Sequence, residues 1–289
     1  MSGEWTIGVI GGSGIYEIDG LEDAQWVAVE TPWGTPSDEL LIGRVAGVRF
    51  VFLPRHGRGH RISPSGLNFR ANIDALKRAG CTDIVSLSAV GSLSEALDPG
   101  TFVIVDQFVD RTFAREKSFF GTGCVAHVSM ADPVCPRLSA LAAEAARAAG
   151  ARVHAGAVQL VMEGPQFSTR AESRLYRQWG CDVIGMTAMP EAKLCREAEL
   201  PYALVAMVTD YDSWREGEDH VEVDAVIAQL AANSGIARRL IAELAARLPA
   251  ERAPSPIDNA LDVAIMTAPS RRDPALLSKL DAVAGRVLR

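Results

Sequence analysis

The chain has 289 residues, 48% of them hydrophobic and 22% charged, which supplies a sizeable core and excludes both a disordered chain and a membrane protein. A net charge of −7 and a pI near 5.3 argue against a general affinity for nucleic acid or acidic membranes, while leaving small anions open as ligands. No apolar run reaches the length of a membrane span, and the opening Met1-Ser2-Gly3-Glu4 has no basic segment followed by an apolar one, so the expected compartment is the cytoplasm.

The first apolar run, Ile7 to Ile10, reads as a strand that stops at Gly11-Gly12-Ser13-Gly14. That loop either offers backbone N–H groups and one hydroxyl to an anion or simply makes a tight turn. Counted from Gly12, the third glycine of a dinucleotide fingerprint falls on Glu17, and the Gly-Lys-Ser/Thr of a P-loop is missing. A dinucleotide-dependent oxidoreductase is therefore disfavoured. A second strand, Arg49 to Leu53, leads into Arg55-His56-Gly57-Arg58-Gly59-His60-Arg61, with three arginines and two histidines in seven residues. Arg55 can hold a phosphate through two parallel hydrogen bonds and His56 can donate a third; the alternative is a solvated loop.

Leu67 to Ala79 carries apolar residues at helical spacing, and Ile84 to Leu87 reads as a strand ending in Ser88-Ala89-Val90-Gly91-Ser92. Phe102 to Val105 is a further strand, and the alanine-rich Arg137 to Ala149 is a helix stopped by Gly150. The strand Val158 to Met162 ends at Glu163-Gly164-Pro165-Gln166-Phe167. Phe167 can stack on a flat ring, although a lone aromatic is by itself expected in the core. Val183 to Met186 ends at Thr187, and a helix over Glu191 to Ala198 follows. Tyr202 to Val208 reads as a buried strand ending at Thr209-Asp210-Tyr211-Asp212, with a helix from Asp224 to Leu248 after it. In open α/β sheets ligands bind outside the carboxyl ends of strands, so this acid pair is a candidate for chemistry. The two side chains share a face only while the backbone stays extended, and a turn after Thr209 separates them.

Strands alternating with helices predict an α/β fold, a single domain over 1–248 with a mixed, largely parallel central sheet flanked by helices. Pro249, Pro254 and Pro256 mark a connector over 249–256, followed by a helical tail over 257–289. In that tail Asp273-Pro274 is a capped helix start, and Leu276, Leu277, Leu280, Val283 and Val287 form an apolar stripe. The stripe packs on its own domain or on a neighbouring subunit. Five cysteines without a Cys-x-x-Cys pair read as reduced structural thiols, and the five histidines show no metal-ligand spacing, so no metal is expected.

In chain order, Gly11-Gly12-Ser13-Gly14, Thr31-Pro32-Trp33-Gly34, Arg55-His56-Gly57, Ser88-Ala89-Val90-Gly91-Ser92, Glu163-Gly164-Pro165-Gln166-Phe167, Gly185-Met186-Thr187 and Thr209-Asp210-Tyr211-Asp212-Ser213-Trp214 resemble the purine nucleoside phosphorylase family. The resemblance runs from Ile7 to Leu244 and is weaker in the tail. It implies phosphate-dependent cleavage of an N-glycosidic bond, giving a free purine and a ribose 1-phosphate, with phosphate as co-substrate and no metal or organic cofactor. It also implies an α/β subunit in a homotrimer, with pairing of trimers left open, acting on a small nucleoside.

Carried onto matching positions, the resemblance puts Ser13, Arg55, His56, Ser88, Ala89 and Thr187 at phosphate, with serine at 13 and 88 where relatives often have threonine. Phe167 lies against the base, Asp210 and Asp212 face the purine edge, and Met186 meets the ribose. His60, Val223 and Val226 belong to the 5' side, and His127 enters a neighbouring subunit's pocket. Apolar walls there suit a thioether, so the implied substrate is 5'-methylthioadenosine, with adenosine, inosine or methylthioinosine as alternatives. Adenine presents an amino donor and the N7 acceptor on one edge, which suits one accepting carboxylate and one donating carboxyl. Members selective for 6-oxopurines resemble one another in carrying Asn here, so the Asp pair favours adenine. Asp210 is the expected general acid, because burial beside a second carboxylate raises proton affinity.

Overall fold

The computed structural model describes residues 3–12, 14, 18, 20–215 and 223–288. Eleven strands form one mixed sheet: β1 (Thr6–Gly11), β2 (Glu22–Val27), β3 (Leu40–Val45), β4 (Val48–Pro54), β5 (Asp83–Ser92), β6 (Thr101–Val105), β7 (Gln107–Asp110), β8 (Arg152–Ala155), β9 (Val158–Val161), β10 (Val183–Gly185) and β11 (Tyr202–Asp210). The helices are α1 (Phe69–Arg78), α2 (Pro136–Ala148), α3 (Arg170–Gln178), α4 (Ala188–Glu197), α5 (Val223–Arg247), α6 (Pro274–Lys279) and α7 (Gly285–Leu288).

The sheet forks at β5. One edge of β5 runs parallel to β11, from Ile84 opposite Tyr202 to Gly91 opposite Asp210. The other edge is shared: Asp83 to Ser86 pair parallel with β1, and Gly91 and Ser92 pair antiparallel with β10. Leu87 to Val90 have no ladder partner on that edge among the described residues. A long apolar strand buried on both faces tolerates such a change of partner, and the opening it leaves lies at the carboxyl ends of β1, β4, β5 and β11.

Both faces of the central strands are covered, which explains their continuous apolar runs. Along β11, Leu204, Ala206 and Val208 join one core cluster, while Ala203, Val205 and Met207 join the other. The first cluster includes Ile73 and Leu76 of α1 and Ala192 and Leu194 of α4; the second includes Leu138 and Ala142 of α2 and Leu240, Ile241 and Leu244 of α5. The small side chains of α2 sit against α5, matching the alanine-rich sequence.

Four strands escape the sequence pattern. β2, β7 and β8 end the three branches of the sheet, and β2 and β8 carry mostly exposed residues, so no apolar alternation marks them. β3 is interrupted by Gly43, where a Cβ would come within 2.8 Å of the Glu22 carbonyl. The tail follows its capping expectation, with the Asp273 side chain accepting from Ala275 N–H at 2.9 Å. Its apolar stripe is not one helix, because α6 ends at Lys279 and α7 begins at Gly285. Leu280, Val283 and Ala284 nonetheless join the first core cluster of the same chain. The proline-rich segment 249–256 is pinned at its start and middle: Trp5 Nε1 donates to the Pro249 carbonyl at 2.8 Å, and the Arg252 guanidinium holds buried Asp83 and half-buried Asp258.

Candidate active site

The strand ends at the fork touch one another in sequence. Arg55 follows β4, and its N–H donates to the Gly11 carbonyl at the end of β1 (2.9 Å). Ser88 Oγ on β5 lies 3.4 Å from Thr187 Oγ1 after β10, both buried, and Ala89 beside them is half-buried. Gly91 carries the Asp210 side chain so closely that a Cβ would stand 2.9 Å from Oδ1. Gly164, with φ +68, leaves room for Met186, whose Sδ would lie 2.5 Å from a Cβ there. Small residues at these ends therefore let the backbones converge.

The acids do not share a strand face. A bulge interrupts the register between Val208 and Asp210, the chain turns at Tyr211, and Asp212 opens a short 3-10 turn with φ +40. What brings them together is the turn itself, in which Asp212 N–H donates to Asp210 Oδ1 at 2.9 Å. Thr209 Oγ1 donates to Asp210 Oδ2 at 2.7 Å. Burial raises the proton affinity of Asp210, and that of Asp212 rises through burial and then through the neighbouring Asp210 charge. Asp212 Oδ2 is buried and accepts no hydrogen bond among the described residues.

Several expectations need correction. The paired donors of Arg55 do not face outward: Nε and Nη2 grip Glu191 at 3.0 and 3.4 Å, and Nη2 also meets Ser86 Oγ at 2.6 Å. Nη1 donates to the Leu87 carbonyl at 3.1 Å. Glu191 is further held by Ser86 and by the Tyr202 hydroxyl, so a buried polar network fills the space beneath the unpaired stretch of β5. His56 was expected to donate to phosphate, but its Nδ1 proton goes to the Ile62 carbonyl at 2.8 Å. Burial, with the Arg55 charge, lowers its pKa to about 4, so at neutral pH Nε2 is an acceptor. Arg58 and Arg61 turn away to Asp38, Glu39 and the Ser37 carbonyl, leaving His60 stacked on His56 at 4.2 Å. Phe167 is 45% exposed rather than in the core, on a loop tied to the Asp212 turn by Ser213 Oγ and the Ser168 carbonyl.

Ser13 lies outside the described residues, as does the side chain of Val223 at the start of α5; Val226 is half-buried one turn on. His127 is exposed, on a segment whose backbone pairs with the tail: its N–H donates to the Ala264 carbonyl at 2.9 Å. No hydrogen bond or ring contact among the described residues joins its imidazole to the fork.

One residue with no sequence signal organises the site. Arg115, in the stretch Arg111-Thr112-Phe113-Ala114-Arg115-Glu116-Lys117, has a side chain only 1% exposed. Its guanidinium donates to the carbonyls of Met186 (2.6 Å), Met189 (2.6 Å) and Glu163 (2.7 Å) and meets Glu163 Oε1 at 3.3 Å. Glu163 in turn accepts from Phe113 N–H at 2.7 Å and from Ser65. This clamp fixes the ends of β9 and β10 together. Among the described residues no group of His, Cys, Asp or Glu is arranged to hold a metal ion, and no helix is long and apolar enough to cross a membrane.

A forked α/β sheet with hydroxyls, an imidazole and two carboxyl groups of raised proton affinity at its strand ends is the setting of a phosphate-dependent glycosyl transfer, and comparison places it: the chain belongs to the phosphorylase superfamily, whose model matches residues 6–244. Within that family it is 67% identical over 285 residues to the S-methyl-5'-thioadenosine phosphorylase of Cereibacter sphaeroides, covering 98% of each chain. It is 60% identical over 286 residues to the protein of the same name from Bradyrhizobium diazoefficiens, again covering 98% of each. Among solved structures, a methylthioadenosine phosphorylase from an antarctic soil metagenomic library superposes with a TM-score of 0.92 at 46% identity, covering 97% of this chain and 99% of the other. The methylthioadenosine phosphorylase of Schistosoma mansoni in complex with adenine gives 0.80 at 40% identity, covering 84% and 91%.

Proposed function

We propose that this chain cleaves 5'-methylthioadenosine with inorganic phosphate, releasing adenine and 5-methylthio-ribose 1-phosphate. The observation that carries the reading is the Asp210–Asp212 turn, whose buried acceptor Asp212 Oδ2 has no partner among the described residues, a short step along the strand ends from the Ser88–Thr187 hydroxyl pair. The adenine amino group donates to Asp212, and Asp210, whose proton affinity burial raises, donates to N7. Phosphate sits on the hydroxyls of Ser88 and Thr187, near Ala89 and Ser13, over the Arg55–Glu191 network. Phe167 covers the base and Met186 the ribose, with His60, Val223, Val226 and a neighbour's His127 toward the 5' group.

As the C1'–N9 bond breaks, its electron pair goes to the base, which takes a proton at N7 from Asp210, while a phosphate oxygen bonds to C1' from the opposite face. Hydrogen phosphate loses its proton in the overall reaction and adenine gains one. The neutral His56, with Nε2 as acceptor, takes a hydrogen bond from the phosphate hydroxyl and orients it; with a pKa of about 4 it does not keep the proton, which passes to solvent while solvent reprotonates Asp210. The rest is positioning and electrostatics, with no metal or organic cofactor.

The working unit we propose is a cytoplasmic homotrimer: Val125, Val263 and Met266 are exposed on the paired segments that carry His127, and all five cysteines are buried free thiols suited to a reducing compartment. Sedimentation of the purified chain reads the number of copies. The reaction itself is tested by base release from methylthioadenosine with and without phosphate, with adenosine and inosine alongside. Phosphate-dependent adenine release with inosine inert is expected; release without phosphate, or preferred inosine cleavage, overturns it.

A further inference from the structure

At the end of the sheet opposite the fork, a cleft of about 230 Å³ opens between the domain and the tail. α1 supplies Lys77, the start of β5 is preceded by Cys81 and Thr82, α4 is followed by Glu199 and Leu200, the connector region gives Arg252 and Asp258, and the tail gives Ala282, Val283 and Arg286. Its charged lining is three cations and two carboxylates.

Both carboxylates are already taken. Glu199 accepts from Arg286 at 2.5 and 2.8 Å and from Leu261 N–H at 2.9 Å. Asp258 holds Arg252 through both oxygens, at 2.7 and 2.9 Å, and Arg252 Nε goes on to Asp83 at 2.5 Å. Arg286 also reaches Asp262 at 2.5 Å, and none of these bonds uses its Nη1. Lys77 is different: it is half-buried at the cleft, and its ammonium makes no hydrogen bond or ion pair among the described residues. Burial lowers its pKa, and the Arg286 and Arg252 charges add to that, against the pull of Glu199 and Asp258. An ammonium taken partly out of water without an acceptor is costly, and a bound anion removes that cost.

We propose that this cleft is a second anion site, taking a small tetrahedral oxyanion of the phosphate or sulfate type on the Lys77 ammonium and the Arg286 guanidinium. Seated there, the anion bridges α1 to the tail and holds residues 274–288 against the domain. The buried thiol of Cys81, its pKa pushed up to about 12, takes no part. The site is separate from the reacting centre, so its occupancy changes the anchoring of the tail rather than the chemistry.

The test counts radiolabelled inorganic phosphate bound to the intact protein by equilibrium dialysis, for wild type and Lys77→Met. The wild type should bind one more phosphate per chain than Lys77→Met, the extra site being weakened at least about tenfold by loss of one charge-assisted hydrogen bond. Equal stoichiometry and affinity in the two proteins would overturn the proposal. Sulfate should compete for the extra site, slowing hydrogen exchange over 274–288 in wild type and Lys77→Arg but not in Lys77→Met; exchange that ignores sulfate in all three also overturns it. Phosphate-dependent base release should be the same in Lys77→Met as in wild type. Because the count is a difference between two proteins, it stands even if the proposed reaction fails, and a failed count leaves that reaction untouched.

Discussion

The two ends of the sheet treat buried carboxylates in opposite ways. At the start of β5, Asp83 is fully buried and gripped by Arg137 and Arg252, both of which lie near the Trp5 ring at 4.8 and 5.9 Å. Asp258 and Glu199 are likewise held by guanidiniums. At the far end of β5 and β11, half-buried Asp210 and buried Asp212 meet only hydroxyl and amide donors among the described residues, where one carboxylate oxygen accepts nothing. The paired end is built for stability. At the unpaired end burial raises the proton affinity of both acids with no guanidinium among the described residues to offset it, and an acceptor is left for a partner from outside, which is how perturbed groups mark a reacting centre.

The largest expected effect follows from that division. Asp210→Asn keeps an acceptor for the Asp212 N–H but cannot give up a proton to N7, so base release from methylthioadenosine should fall by about 10²–10⁴. The melting temperature should hold or rise, since a buried, desolvated carboxylate is removed. A variant with a wild-type rate across the pH profile would remove Asp210 as the general acid.

Asp83→Asn should do the reverse. It removes the carboxylate that bridges Arg137 and Arg252, leaving Arg137 with the Ala253 carbonyl and Arg252 with Asp258, and breaking such a buried pair costs up to about 3–5 kcal/mol. The midpoint of urea unfolding should drop accordingly, while the turnover of the folded fraction stays near wild type. If Asp83→Asn instead lowered turnover at unchanged stability, the division between the two ends would not hold.

Glu197 crosses the comparison, because it is buried without an ion pair among the described residues yet lies outside the fork. It accepts from Ser118 Oγ and Phe119 N–H, both at 2.7 Å, and burial raises its pKa from 4.5 to about 7. A carboxyl with a folded pKa above its unfolded value stabilises fully below about pH 4.5, and that contribution is lost as pH rises through about 7. In Glu197→Gln, the amide oxygen can take the Phe119 N–H and the amide nitrogen can donate to Ser118. The variant should flatten the fall in melting temperature between pH 5 and 8 and gain about 3 kcal/mol relative to wild type at the upper end. An unchanged slope would assign the titration elsewhere.

How legible each end was depends on the range of its interactions. The fork was readable because its parts are local: an apolar run followed at once by Ser88, Thr187 or Asp210, each at the mouth of a strand buried on both faces. Asp210 and Asp212 were found together because they are two residues apart, although a turn rather than strand alternation unites them. Nothing local announces that Glu191 claims the donors of Arg55, since 136 residues separate the pair. Arg115 escaped for the same reason, its acceptors lying 48 to 74 residues away. The hydrogen-bonding role of His56 is not legible in the sequence, because the carbonyl that takes its proton is fixed only by the fold of the Ile62 loop. Edge strands such as β2 were invisible because solvent, not a second layer, faces them.

The smallest effect is the most discriminating, because it bears on the base rather than on the rate. Asp212 Oδ2 can only accept, so it complements the amino group of adenine and opposes the carbonyl of a 6-oxopurine. An amide at this position offers an N–H instead, and Asn tolerates the left-handed φ of +40 as well as Asp does, so the backbone of the turn need not change. Asp212→Asn should therefore lower kcat/KM for methylthioadenosine and raise it for methylthioinosine, moving their ratio by about 10- to 100-fold, the worth of one mismatched buried polar contact. The comparison is internal to one variant, so a general loss of folding or of phosphate binding cancels. If both substrates decline together, Asp212 supports the turn that carries Asp210, and the choice of base lies with other residues at the fork.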